Sequence, residues 1–214
     1  MQAVFFDMDG LLVDSERVWL EIETEVMARL GAEWTSEHQL HLVGGSMERT
    51  VGYMLAVSGS RESAATVAGW MVAGMVERLS RGVSVMPGAA ELLDALRGEG
   101  VPVGLVTSSL KEIADAVLKG VGRDRFDVIV TAGDVSRTKP DPEPYLTASR
   151  LLGVEPMCCV VLEDSPNGVA AATAAGCAVV AVPSLLAIDS APGRLVVSSL
   201  QDVGVADLRA LITV

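Results

Sequence analysis

The sequence predicts an α/β protein with a parallel sheet at its core and a helical segment inserted after the first strand. Short apolar runs alternate with amphipathic stretches along most of the chain, which is typical of a parallel sheet covered by helices on both faces. Residues 15–84 interrupt this alternation, because apolar residues recur there at helical spacing without a strand-like run. We therefore predict a core formed by residues 1–14 and 85–214, and a helical cap formed by residues 15–84.

The first strand is predicted at Ala3–Phe6, where an unbroken apolar run indicates burial on both faces. Two stretches of the cap carry apolar residues at helical spacing, and each predicts a helix with one buried face. The apolar residues of the earlier stretch are Trp19, Ile22, Val26 and Leu30, with Gly31 as a natural end of the helix. Those of the later stretch are Val67, Met71, Met75 and Leu79.

Strand-like runs alternate with predicted helices after the cap. The runs are Pro102–Val106, Val128–Val130, Cys158–Leu162, Ala178–Ala181 and Leu195–Val197. Helices are predicted to begin near Gly88, Leu110, Pro142, Pro166 and Val205. Ser109 and Glu112 match the spacing of a capping box, and Ser165 precedes Pro166 as a helix N-cap precedes a first-turn proline.

The composition argues against several kinds of partner. The formal net charge of −12 disfavours nucleic-acid binding, which needs clustered Lys and Arg. No apolar run reaches membrane-spanning length. Cys158, Cys159 and Cys177 show no pairing pattern, and His38 and His41 lie apart from them in the cap, so no zinc site is predicted. We expect a cytoplasmic protein with reduced thiols, and neither a membrane nor a nucleic acid as partner.

Polar residues occur at the carboxyl ends of several predicted strands. They are Asp7 and Asp9 after the first strand, Thr107 and Ser108 after the second, Glu163 and Asp164 after the fourth, and Lys139 before a later helix. In open parallel sheets, ligands bind beyond the carboxyl ends of the strands. We therefore expect these side chains to form one site.

Four carboxylates in one site would repel one another and raise each other's pKa. A divalent cation removes this cost. Asp7, Asp164 and Glu163 offer hard oxygens, and the backbone carbonyl of Asp9 offers another. A small number of protein ligands, with room left for water and a phosphate oxygen, suits Mg²⁺ better than Ca²⁺. The sequence therefore predicts Mg²⁺ as cofactor and a phosphate ester as partner.

The remaining groups suit phosphoryl transfer. Asp7 can attack phosphorus in line, while Asp9 can protonate the leaving oxygen and later deprotonate water. The Thr107 hydroxyl, the Ser108 N–H and the Lys139 ammonium can bind the oxygens on which charge develops.

Each motif has a structural explanation when taken alone. Asp-x-Asp-Gly is common in turns, the residues after Thr107 and Glu163 also suit helix starts, and a lysine before a proline is ordinarily a solvated loop residue. Their occurrence together, in order and at strand ends, favours an active site.

Four stretches resemble the four motifs of the haloacid dehalogenase-like hydrolase superfamily, in the branch whose helical cap follows the first motif. They are DMDGLLVDSE, LVTSS, KPDPEPY and VLEDSPNGVAAA. The resemblance implies a Rossmann-like core with a four-helix cap, a nucleophilic Asp7 and an acid/base Asp9. It also implies that Asp164 binds Mg²⁺, with Glu163 beside it as a direct ligand or a support for the ligands, and that Thr107 and Lys139 bind phosphate. Members that cleave carbon–halogen bonds lack an acid at the position of Asp9, so dehalogenation is not expected.

This resemblance implies a Mg²⁺-dependent phosphatase for a small phosphorylated metabolite such as a sugar or polyol phosphate. The alternative is a mutase similar to β-phosphoglucomutase. Those mutases carry a His where Trp19 aligns and a phosphate-gripping Arg where Met47 aligns, with Arg49 two residues further along this chain. Trp19 and Met47 cannot hold a second phosphate by charge, which favours the phosphatase. Trp19, Met47 and Arg49 are also the cap residues expected to contact the leaving group, and Trp19 suits helix packing equally well.

A signalling module is a third possibility. Response-regulator receivers also phosphorylate an Asp in an acidic Mg²⁺ pocket near a Thr and a Lys. The large insertion and the position of Asp7 at the first strand argue against a receiver. A non-catalytic scaffold is disfavoured because every catalytic group is present.

Overall fold

The core of the protein is a six-stranded sheet in which every neighbouring pair of strands is parallel. The computed structural model describes residues 1–212. The strands are β1 (Ala3–Phe6), β2 (Val103–Val106), β3 (Val128–Val130), β4 (Cys159–Glu163), β5 (Ala178–Ala181) and β6 (Arg194–Val196). Their order, β3-β2-β1-β4-β5-β6, places β1 between β2 and β4. The predicted α/β fold with a parallel sheet is confirmed.

The observed strands match the predicted runs within one residue at each end. β2 begins one residue later than predicted because Pro102 has no N–H to donate, although its carbonyl still accepts a hydrogen bond from the Val4 N–H at 3.0 Å. β4 extends one residue further than predicted because Glu163 continues the ladder and pairs with Ala181. The end of β4 therefore carries a carboxylate inside the sheet.

Four helices lie within residues 15–84: α1 (Glu16–Arg29), α2 (Ser36–Leu40), α3 (Met47–Ser58) and α4 (Ala64–Leu79). The later helices are α5 (Ala89–Gly98), α6 (Lys111–Val121), α7 (Glu143–Leu152), α8 (Pro166–Ala174) and α9 (Val205–Leu211). The stripe predicted on α4 is buried along its whole length. Gly31, with a φ of +83°, follows α1 as expected of a residue that ends a helix.

The chain enters and leaves the α1–α4 segment at neighbouring points. Val13 pairs with Val85 in an antiparallel bridge, and the Asp14 N–H donates to the Ser84 carbonyl at 2.9 Å. Within the segment, α4 packs against both α1 and α3, and it also packs on α6 of the core. The division into a core and a cap at residues 14/15 and 84/85 stays a prediction.

Both faces of the sheet are buried. Val4 and Phe6 point to a layer that includes α5, α6 and α9, whereas Ala3 and Phe5 point to a layer that includes α7 and α8. This double cover explains why the strands are apolar throughout and do not alternate with polar residues. A search of residues 1–212 finds no helix with the length and apolar character needed to cross a bilayer.

Candidate active site

The carboxyl ends of β1, β2 and β4 lie side by side at one edge of the sheet. Phe6 of β1 pairs with Leu105 of β2 and with Leu162 of β4, so the residues just beyond these pairs are neighbours. Asp7 continues this register, because its N–H donates to the Leu162 carbonyl at 3.0 Å. The predicted meeting of polar strand ends is therefore observed, and the α1–α4 segment lies over it, with a cavity between them lined by residues of both parts.

Lys139 is buried, with 4% of its surface exposed, rather than solvated in its loop. Its ammonium donates to Asp7 Oδ1, to Glu163 Oε1 at 2.6 Å and to the Val106 carbonyl at 2.8 Å. Burial alone would lower the pKa of Lys139, but the two carboxylates outweigh it and raise the pKa above its ordinary value. Lys139 is thus a fixed cation at the end of the sheet.

Glu163 is fully buried, and both of its oxygens are occupied. Oε1 accepts from Lys139 and from the Tyr145 hydroxyl at 2.6 Å, while Oε2 accepts from the Asp164 N–H at 3.2 Å and from the N–H and hydroxyl of Ser165. Any Cβ at Gly168 would overlap this carboxylate, so the first turn of α8 needs a glycine there. Ser165 also caps α8 as predicted, since its hydroxyl accepts from the Gly168 N–H at 3.1 Å.

Asp7 and Asp164 are the other buried carboxylates at this edge. Burial and the neighbouring carboxylates raise the pKa of both groups well above the ordinary range, although Lys139 opposes the effect. One Asp164 oxygen accepts from the Ser184 hydroxyl at 2.5 Å, and Gly10, at φ +80°, passes so close that any side chain there would collide with Asp164. Ser184 was not predicted, because nothing in its local sequence distinguishes it from other loop serines.

The donor set fits a divalent cation. Ligand oxygens of Asp7, Glu163 and Asp164 all lie within 4.8 Å of one another. Of the residues described at this edge, three buried carboxylates lie beside one ammonium, that of Lys139, so a hard cation with oxygen preference would offset the remaining negative charge.

The carboxylate of Asp9 accepts four hydrogen bonds, two on each oxygen. Oδ1 accepts from the Ser15 hydroxyl at 2.7 Å and from the Trp19 indole N–H at 3.0 Å. Oδ2 accepts from the Ser109 hydroxyl at 2.8 Å and from the Thr107 hydroxyl at 3.4 Å. Asp9 is thereby held at the junction of β1, β2 and α1.

The predicted capping box at Ser109 is wrong. The N-cap of α6 is Leu110, and its side chain makes no capping hydrogen bond. The Ser109 hydroxyl instead donates to the Asp9 carboxylate at 2.8 Å in a charge-assisted hydrogen bond.

Thr107 and Ser108 both line the cavity beside Asp7. The Thr107 hydroxyl accepts from the Ser109 N–H at 3.0 Å, which orients it. The Ser108 hydroxyl is fully buried, and within residues 1–212 it has no hydrogen-bond partner. A buried hydroxyl of this kind is free to donate to a bound oxygen.

Two of the three cap residues singled out in the sequence reach the cavity. Trp19 and Met47 line it, whereas Arg49 is exposed and its guanidinium donates to the His41 carbonyl at 2.8 Å. Trp19 also packs against the apolar core, so both roles considered for it are present. The glycine-rich connection between α2 and α3, residues 44–46, also lines the cavity.

Sequence reasoning missed four polar residues on the cap wall of the cavity: Glu16, Glu23, Gln39 and Thr50. Burial, together with Asp9 and Glu23, raises the pKa of Glu16 to about 8. Burial raises the pKa of Glu23 to about 7, against a smaller opposite effect of a hydrogen bond from Trp34. The available signal was spacing, because Glu16 and Glu23 lie three residues before and four residues after Trp19 and so share its face of α1.

Comparisons with known proteins identify the family of this chain. Residues 4–182 match the haloacid dehalogenase-like hydrolase family. The chain is 34% identical over 185 residues to hexitol phosphatase B of Escherichia coli (strain K12), covering 85% of this chain and 83% of that protein. It is 35% identical over 179 residues to validoxylamine A 7'-phosphate phosphatase of Streptomyces hygroscopicus subsp. limoneus, covering 82% of each.

A crystal structure of CbbY from Rhodobacter sphaeroides in complex with phosphate superimposes on this fold with a TM-score of 0.88. The two proteins are 26% identical, and the match covers 97% of this chain and 99% of that one. Fold, ordered motifs and family match coincide, and the chain belongs to the haloacid dehalogenase-like hydrolase family.

Proposed function

We propose that the protein is a Mg²⁺-dependent phosphatase that hydrolyses a small phosphorylated metabolite, a sugar or polyol phosphate, through an aspartyl-phosphate intermediate on Asp7. The observation that carries this proposal is the pairing at the cavity floor of two carboxylates with different surroundings. Asp7 is ion-paired with the buried Lys139, and Asp9, two residues further on, is held by four neutral donors. The similarity to two curated phosphatases supports the same reaction class.

Asp7 and Asp164 are the side chains best suited to bind Mg²⁺ directly, with the Asp9 backbone carbonyl as a third ligand. Glu163 has both oxygens engaged by protein donors, so it supports the site by orienting Lys139 and the chain at Asp164. When bound, Mg²⁺ would reduce the repulsion between the carboxylates and an incoming phosphate and polarise its oxygens.

The residues of the chain account for both chemical steps. Asp7 attacks phosphorus, the bond to the leaving oxygen breaks, and Asp9 gives that oxygen a proton. Asp9 then removes a proton from water, which attacks the aspartyl-phosphate and releases inorganic phosphate. Thr107, Ser108 and Lys139 hold the phosphoryl oxygens during both steps.

The cap wall favours phosphatase over mutase. A mutase must hold a second phosphate above the first. The ionisable side chains on the cap wall are Glu16 and Glu23, both acidic, and of the described residues that line the cavity, Lys139 alone is a Lys or Arg. Arg49, the candidate for gripping a second phosphate, is directed to the His41 carbonyl. A bisphosphate would therefore meet acidic side chains, and no cation, on the wall where a mutase needs a cation.

Phosphate release with and without Mg²⁺ tests the proposal. The wild-type protein should release phosphate from p-nitrophenyl phosphate and from sorbitol 6-phosphate only with Mg²⁺, and Asp7→Asn should reduce both rates below detection. Asp94→Asn, an exposed substitution outside the cavity, is the matched control. Retained activity of Asp7→Asn would exclude the nucleophile assignment. Conversion of β-glucose 1-phosphate to glucose 6-phosphate in the presence of the bisphosphate activator, without phosphate release, would favour the mutase.

A further inference from the structure

Glu23 occupies the part of the cap wall that the reaction does not use. It lies on α1 with 4% of its surface exposed, and it lines the cavity together with Glu16 and Trp19. A buried carboxylate is costly unless it has partners, and Glu23 forms no ion pair within residues 1–212. Packing alone does not explain this carboxylate, because an apolar residue of the same size would avoid the cost.

A hydrogen bond from Trp34 orients the carboxylate of Glu23. The Trp34 indole N–H donates to Oε2 at 3.0 Å, and Trp34 is itself stacked on His38, with ring centroids 4.9 Å apart, and in edge contact with Tyr53. Oε1 accepts no hydrogen bond from any described residue, although Glu23 lines the cavity. The free oxygen is thus fixed in position and available to a ligand.

Glu23 lies further along α1 than Glu16, the residue of this helix that is near the reacting groups. Glu16 stands at the first position of α1, and Asp9 and Asp7 are among the carboxylates that raise its pKa, so it lies near the reacting groups. Seven residues separate Glu16 from Glu23, and at 1.5 Å per residue this is about 10 Å along the helix axis. This offset along α1 favours a leaving group of several atoms as the one that reaches Glu23 from a phosphoryl group on Asp7.

The neighbours of Glu23 define the chemistry that fits. Gln39 and Thr50 line the same wall with a neutral amide and a hydroxyl. The Gln39 side-chain N–H₂ donates to the backbone carbonyl of Glu16 at 2.9 Å and to Glu16 Oε2 at 3.3 Å. The side-chain carbonyl oxygen of Gln39 is therefore available to a ligand. Carboxylate, amide oxygen and hydroxyl all accept hydrogen bonds. Such a wall suits a chain of hydroxyl groups, offers no cation to a second phosphate and penalises an apolar group by leaving acceptors unpaired.

We propose that Glu23 is a specificity-determining residue that accepts a hydrogen bond from a hydroxyl at the far end of a long polyol leaving group. This inference rests on the proposed phosphatase function. It predicts that kcat/KM depends on the length of the hydroxylated chain, because only a chain that reaches Glu23 gains the hydrogen bond.

The test compares polyol phosphates of increasing length, all with alkyl leaving groups: glycerol 3-phosphate, erythritol 4-phosphate and sorbitol 6-phosphate. For the wild-type protein, kcat/KM should rise with length. At pH 8, above the pKa of about 7 to which burial raises Glu23, Glu23→Gln should lower the sorbitol-to-glycerol ratio of kcat/KM roughly 10-fold, as expected for a hydrogen bond to a charged acceptor. Glu23→Asp, which keeps the charge but withdraws it by one methylene, should lower the ratio too. Glu21→Gln, an exposed substitution on the same helix, should leave the ratio unchanged.

A second variant separates recognition from folding. Trp34→Phe keeps an aromatic ring at this position but removes the N–H that orients Glu23, so it should lower the same ratio by about 3-fold while Glu23 itself is retained. A wild-type kcat/KM that does not depend on chain length, or equal losses on all three substrates in the Glu23 variants, would overturn the inference and leave the phosphatase intact. Failure to release phosphate from any ester with Mg²⁺ would instead overturn the proposed function.

Discussion

The indole nitrogen of Trp19 lies 3.0 Å from Oδ1 of Asp9, so a residue of the first cap helix directly contacts the proposed acid/base. The Ser15 hydroxyl reaches the same oxygen from the start of that helix. The seating of α1 over the sheet is therefore connected to the orientation of the proton donor.

Replacing Trp19 by Phe should slow turnover of alkyl phosphates. The ring would be retained for packing while the N–H to Asp9 is lost, and because three other donors remain on Asp9, we expect kcat to fall roughly 3- to 10-fold. The loss should be smaller for p-nitrophenyl phosphate, whose leaving oxygen needs little protonation. Steady-state kinetics on both substrates measure this, with Trp70→Phe, which lies outside the cavity against Arg29, as the control. Equal losses on the two substrates would point to packing alone.

Magnesium should stabilise the folded protein through Asp7 and Asp164. A ligand present at about 100 times its Kd adds about 2.7 kcal/mol, which raises Tm by roughly 5–10 °C in a protein of this size. Thermal unfolding in EDTA and in Mg²⁺ measures the shift. Asp164→Asn should abolish most of it, whereas Asp94→Asn should retain it. An unchanged shift in Asp164→Asn would remove Asp164 from the ligand set.

Lys139 should contribute to stability as well as to phosphate binding. It is the buried cation between Asp7 and Glu163, and removing one partner of a buried ion pair typically costs about 3–5 kcal/mol because the remaining charge is uncompensated. Lys139→Met should therefore unfold at a lower urea concentration, and Mg²⁺ should restore part of the loss by offsetting the same carboxylates. Lys119→Met, at an exposed position on α6, is the control. A loss within about 1 kcal/mol of that control would contradict a buried pair of this strength.

The fold and the catalytic edge of the site were largely predictable, because both depend on local patterns. Apolar runs defined the strands, and parallel strand ends must share an edge, which brought Asp7, Thr107 and Asp164 together. The sequence was less informative where tertiary contacts override local rules. Ser109, which the local pattern assigned to a helix cap, instead donates its hydroxyl to Asp9, a residue 100 positions away.

The burial of Lys139 and the polarity of the cap wall show a second limit. A lysine in a loop is usually solvated. Lys139 is buried instead because it pairs with Asp7, just after β1, and with Glu163, at the end of β4, and neither residue is near it in the sequence. Glu23 looks like an ordinary polar residue of an amphipathic helix, since spacing places it on the face of Trp19 but does not say that this face covers a cavity. The sequence shows which residues share a helix face, but it does not show what that face contacts.

Glu23 gives the last prediction, which concerns the dependence of stability on pH. Burial raises the pKa of Glu23 from an ordinary 4.5 to about 7, with Trp34 opposing the shift, and Glu16 is the nearby ionisable group on the same helix. The folded state therefore holds this proton more tightly than the unfolded state. The resulting stabilisation is fully present below pH 4.5 and is lost as the pH rises through about 7. Relative to Glu23→Gln, which does not titrate, the wild-type protein should lose on the order of 3 kcal/mol of its free energy of unfolding across this range.

Urea unfolding at closely spaced pH values measures the difference, and Glu21→Gln, exposed on the same helix, should follow the wild-type curve. A constant difference between the wild-type protein and Glu23→Gln from pH 4.5 to pH 8 would show that Glu23 is not a buried carboxyl with a raised pKa.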